Sequence, residues 1–200
     1  MRVLEGVIKM NVDTAIKTDA HTLREKPNLS MVGLLLVEMI IGYEWLVSGV
    51  VKVVKGDFPS GLADELLKKS EGVPAWYSGL IKSFFIPNAE ILGYLIEISE
   101  VLAGIALVFG SFIWLCAWDR CSDSLRRWIL FFIIAAAIGT TFLVVNLHIA
   151  NGAPHPWLLP DSGFDEGIDL DSVLPAIQIV IAWISIDLFR RLGRKTSGAS

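Results

Sequence analysis

Four stretches of this chain run for twenty or more residues with few polar positions, and polar segments separate them. They are Met31–Val54, Ile91–Trp118, Trp128–Ala150 and Val173–Leu192, the last closed by Arg190, Arg191, Arg194 and Lys195. The hydrocarbon core of a bilayer needs about 20 mostly apolar residues per helix. A helix of a soluble bundle would instead show polar residues at about four of every seven positions. Between Trp128 and Val145 the third stretch has no charged residue at all. The pattern predicts an all-α membrane protein, a bundle of four transmembrane helices occupying residues 31–192.

Two further segments carry a helical pattern without spanning. In residues 1–30, Leu4, Val7, Ile8, Val12 and Ala15 recur at helical spacing, with Arg2, Glu5 and Lys9 between them. This predicts an N-terminal amphipathic helix lying on the membrane face or against a partner. The first loop, about 56–88, is long for a connection between helices, and such loops are often functional. It reads as two short helices, one after Ser60 and capped by that hydroxyl, one opened by Pro74. The second gathers Trp76, Tyr77, Leu80, Ile81, Phe84 and Phe85 on one broad face. Aromatic residues favour headgroup depth, so this helix either lies in the outer interface or fills the space above the bundle. Residues 193–200 form a short tail.

Charge sets the orientation. Five basic residues precede the first span, three lie in the second loop (Arg120, Arg126, Arg127) and four close the last span. The other side has five, Lys52, Lys55, Lys68, Lys69 and Lys82, and the third loop has none among five carboxylates. Basic residues mark the cytoplasmic side, so both termini are expected in the cytoplasm and the protein in the inner, cytoplasmic membrane. Residues 1–28 lack the apolar core of a signal peptide. Over the whole chain 54% of residues are hydrophobic, 19% are charged and the net charge is −4. That balance agrees with lipid as the solvent and argues against nucleic acid, which needs a basic face. Cys116 and Cys121 are too few for a disulfide framework.

Ionisable groups inside spans are costly and usually face the bundle interior. Glu38, Glu44 and Lys52 fall in the first span, Glu97 and Glu100 in the second, Asp187 in the fourth. At about 1.5 Å per residue, Glu44 and Glu100 lie within roughly 5 Å of mid-membrane. Lys52, Glu97, Asn146 and His148 lie roughly 9–15 Å toward the outer face. Glu97 and Glu100 share a helix face. One reading is a quinone head-group pocket in which Glu100, Glu97 and His148 exchange protons while Lys52, Asn146 and Trp157 hold the ring. The other is a Lys52–Glu97 ion pair that ties two helices together. Trp157 belongs to NGAPHPW, a rigid aromatic segment that lids the pocket or simply turns the chain. No metal-ligand set is apparent, and Asp187 is placed to pair locally with Arg190 or Arg191.

The first span reads GYEWLVSGVVK, with Gly42, Gly49 and Lys52, and the second reads EVLAGIALVFG, with Glu100, Gly104, Leu107 and Gly110. These motifs resemble those of the DoxX/DoxD family of small four-helix membrane proteins. The long first loop, with GDFPSGLADELL and PAWYSGLIKSF, is more similar to the DoxD branch, which includes a subunit of thiosulfate:quinone oxidoreductase. The resemblance covers about residues 32–157. It implies a subunit that passes electrons from a sulfur compound to quinone, in contact with lipid and with other subunits of a membrane complex. Family members often carry Arg four residues before the first Gly, where this chain has Glu38. The contrasting reading is a non-catalytic accessory subunit of a larger respiratory or photosynthetic complex.

Overall fold

In a computed structural model the protein is helical throughout most of the residues that the structure describes, 29–150 and 170–197, with no strand among them. The helices are α1 (Leu29–Lys55), α2 (Phe58–Lys69), α3 (Ala75–Leu80), α4 (Ala89–Ala117), α5 (Asp123–Ala150) and α6 (Leu170–Ser197). Four of them are long and apolar enough to cross a membrane: α1, α4 together with the turns that lead into it, α5, and most of α6. The expected amphipathic N-terminal helix, and the third loop with Trp157, lie outside the described residues.

The bundle is built from two pairs. α1 packs along α4 and α5 along α6, while the α4–α5 contact joining the pairs is slighter. Side chains closed off at their centre include Leu35, Leu107, Leu130, Ile133 and Ile181. The α1–α4 seam is close because its contact points are glycines. A Cβ added at Gly104 would sit 2.5 Å from the Leu46 backbone, and one at Gly49 would sit 2.7 Å from Val101 N. Small residues at such points let helix backbones approach and gain dispersion contacts where no hydrophobic force separates protein from lipid.

The first loop folds over one end of the bundle. α2 starts at Phe58 with Pro59 in its first turn, not after Ser60 as the capping pattern predicts. Proline suits a first turn because its missing N–H has no partner there in any case. The Ser60 hydroxyl turns back and donates to Asp57 O at 3.0 Å instead of capping. Pro59 in turn lies against Gly93 of α4, where a Cβ would meet its Cα at 2.5 Å. α3 opens after Pro74, as expected, but no loop follows it. The chain widens into a π turn over Ile81–Phe85, tightens into a 3₁₀ turn over Ile86–Asn88 and enters α4 directly. Pro87 cannot donate to the carbonyl one turn back, which breaks the regular ladder at this point. The aromatic face is divided: Tyr77 and Ile81 are buried, whereas Trp76 and Phe84 are exposed. One half fills the space above the bundle and the other faces outward.

At the opposite end only Cys121 and Ser122 separate the 3₁₀ turn Trp118–Arg120 from α5. Arg126 makes that connection rigid. Its guanidinium donates from Nε and Nη2 to Trp118 O, at 3.1 and 2.8 Å, and from Nη1 to Asp123 Oδ1 at 3.2 Å. The side chain is only 2% exposed and lies over the Trp118 ring, which stacks on Trp114 with centroids 4.0 Å apart. An Arg so deeply buried is tolerable because its donors are used and its charge is balanced.

Candidate functional site

Gly49 sets the depth at which α1 meets α4, with the Glu100 Cβ 2.9 Å from where its own Cβ would stand. One turn further along α1, Lys52 therefore reaches back to Glu100. Its Nζ donates to both carboxylate oxygens at 2.5 Å and to Ser48 Oγ at 3.1 Å. It also lies 5.0 Å from the centroid of the Phe58 ring at the start of α2. Glu100 is 1% exposed and Lys52 24% exposed, so the pair runs from the sealed interior of the seam toward its rim. Such a pair exchanges hydration for a short charge-assisted contact, which holds only while both partners are present.

The expected Lys52–Glu97 pair is not the one that forms. The lysine takes the carboxylate one turn deeper because the glycine contacts, not charge, fix how the helices slide. Glu97 stays buried, with Oε1 lacking a hydrogen-bond partner. His148 is buried near the end of α5. Asn146, placed in the same pocket by sequence, is instead engaged by Tyr77, whose hydroxyl donates to Asn146 O at 3.0 Å. Of the six residues singled out, the structure joins Lys52 to Glu100 and buries Glu97 and His148. It ties Asn146 to the loop; Trp157 is outside the described residues. Asp187 pairs with Arg191 at 2.7 Å, one of the two arginines expected for it.

Three features escape a reading by spacing alone. Glu38 on α1 faces Ser111 on α4, both buried, so the first span adds a carboxylate to the interior beside Glu97 and Glu100 of the second. Gln178 of α6 is fully buried and its Oε1 accepts from Thr141 at 3.3 Å. The third is a groove of about 480 Å³ between α4 and α5, walled by apolar groups such as Leu95, Ala103, Ala136 and Leu143. Glu100 is the one ionisable residue in its wall, while Ser99 and Thr140, also in the wall, hydrogen-bond back to their own helices. Gly139 opens this groove: a Cβ there would meet nothing within 4 Å. The run of small residues on α5, Ala135, Ala136 and Gly139, is the signal that could have located it.

No group of three or more His, Cys, Asp or Glu among the described residues is arranged to hold a metal ion. Compared with protein-family models, with curated proteins and with solved structures, the chain matches none.

Proposed function

We propose that this chain is the quinone-binding membrane subunit of an oxidoreductase complex, and that the α4–α5 groove receives the quinone. The observation that carries the reading is the position of Glu100, which belongs both to the ion pair with Lys52 and to the wall of an otherwise apolar groove. A quinone is an amphiphile of the same kind, an apolar ring and tail with two oxygens that change charge and protonation on reduction. The groove volume of about 480 Å³ falls within the usual range for small-molecule pockets, about 300–1,000 Å³. Glu100 brings a carboxylate to that apolar wall, and Lys52 holds it from behind, in the α1–α4 seam. Reduction of a quinone to a quinol takes up two electrons and two protons. On this reading the electrons come from a partner subunit, and Glu100 exchanges protons with the ring oxygens.

The resemblance to DoxD proteins supplies the donor class, a sulfur compound such as thiosulfate. Of its motif residues, Gly42, Gly49, Gly104, Lys52 and Glu100 fall on one seam, which supports reading those five as a unit, while Gly110 meets Ile133 of α5. The distribution of basic residues supports both termini facing the cytoplasm. A second reading, a non-catalytic accessory subunit, draws on the Lys52–Glu100 contact itself, since a closed pair needs no substrate.

Photolabelling separates the two. The protein in phosphatidylcholine nanodiscs is exposed to a short-chain azidoquinone, with and without excess unlabelled quinone. Displaceable label in peptides spanning 92–106 and 132–143 is the expected result. Label that excess quinone does not displace, or that spreads evenly over all four long helices, would leave only the accessory reading.

A further inference from the structure

Glu44 lies where a carboxylate is least at home. α1 runs from Leu29 to Lys55, so Gly42 is its midpoint and Glu44 lies about 3 Å beyond it at 1.5 Å per residue. Its side chain is exposed, on the side of α1 turned away from the α4 seam. Ile40, Tyr43, Val47 and Val51 share that side and are exposed at 70, 64, 41 and 44%. None of the ion pairs and hydrogen bonds of the described residues involves Glu44.

A carboxylate at this depth costs about 2.5–3.5 kcal/mol against lipid on insertion scales, and such groups nearly always face protein or a water-filled cavity. Tyr43 makes the anomaly double. Tyrosine favours the headgroup region, where its hydroxyl meets water, yet this one stands within one residue of mid-helix. Two adjacent polar side chains at the centre of an aliphatic stripe describe a helix-contact surface better than a lipid-facing one. We propose that the Ile40–Val51 face of α1 docks a transmembrane helix of another protein, and that a cationic side chain of that helix pairs with Glu44 at mid-membrane.

Charge decides the occupant. A second copy packed about this face would bring Glu44 against Glu44, and like charges repel strongly in a low dielectric. Nor can a second copy offer a cation, because the described helices carry no Lys or Arg near mid-depth. The α4–α5 groove lies on other helices, so the inference stands on the membrane-spanning reading alone and not on quinone.

The test uses host peptides in place of the partner. The full chain, dye-labelled at its C-terminus, is placed in phosphatidylcholine vesicles with acceptor-labelled poly-Leu transmembrane peptides. The central residue of each peptide is Lys, Leu or Glu, and association is read by energy transfer. The Lys peptide is expected to bind about fivefold more tightly than the Leu peptide, as an interhelical polar contact gives. Glu44→Leu should erase that preference with the melting temperature unchanged. Equal binding of the Lys and Leu peptides, or a preference that survives Glu44→Leu, overturns the proposal. Tighter binding of the Glu peptide overturns it too, since that result assigns the face to an acid–acid contact.

Discussion

α4 meets α1 and α5 in opposite ways. Toward α1 it offers Gly104, where a Cβ would lie 2.5 Å from the Leu46 backbone, and the two helices touch along their length. Toward α5 it makes one close approach at Gly110, where a Cβ would lie 2.8 Å from Ile133 Cδ1, but beside the groove, at Gly139 of α5, a Cβ would meet nothing within 4 Å. The same residue type therefore closes the α1 seam and opens part of the α5 interface. Glu100 lies between the two, held by Lys52 on the closed side and bordering the groove on the open one. A small residue in a membrane helix has no fixed effect of its own: the partner backbone decides whether it makes a contact or a space.

The sharpest way to break the comparison is Gly104→Leu. The clash is with backbone, which cannot rotate away, so α1 should fail to dock and the variant should yield no monodisperse folded protein in mild detergent. Recovery of a protein with wild-type melting would show that the seam is loose. Next in size is loss of one partner of the ion pair. Glu100→Ala strands Lys52 and should cost about 3–5 kcal/mol, as when a buried pair is broken from one side. Lys52→Met combined with Glu100→Leu should restore most of that, measured by unfolding in graded denaturing detergent. If the double variant is as unstable as the single one, the pair is not what holds this part of the seam.

The smallest effect on stability is expected at Gly139→Leu, within about 0.5 kcal/mol, the usual range for sites without contacts. The same change should abolish displaceable azidoquinone labelling, because the new side chain occupies the groove. Unaltered labelling would put the quinone elsewhere.

Much of this architecture is readable from hydropathy, since lipid obliges a spanning helix to be apolar on every side. The span expected over Met31–Val54 is observed as Leu29–Lys55, and that over Trp128–Ala150 as Asp123–Ala150. Pro74 announces α3 correctly because a missing N–H is harmless at a helix start. What hydropathy does not carry is register between helices. Lys52 has Glu97 and Glu100 on one face to choose from, and only the glycine contacts determine which is within reach. Glu44 and Glu38 are six residues apart on one helix, yet one is exposed and the other buried. The Tyr77–Asn146 bond joins residues 69 apart, on a loop helix whose docking no spacing rule predicts. The groove is a mismatch between two surfaces, which no single segment records.

The stacked indoles of Trp114 and Trp118 give the protein an optical signature of its own. Their planes are within 3° of parallel at a centroid distance of 4.0 Å, close enough for their ultraviolet transitions to couple and to split the circular dichroism of the indole band. Arg126 holds the second ring in place from the start of α5, so the couplet reports on the α4–α5 hairpin rather than on helix content. Helices that persist in denaturing detergent keep their amide signal, while a hairpin that has opened loses this one. The order in which the bundle comes apart can therefore be followed in the unmodified chain, without an added dye.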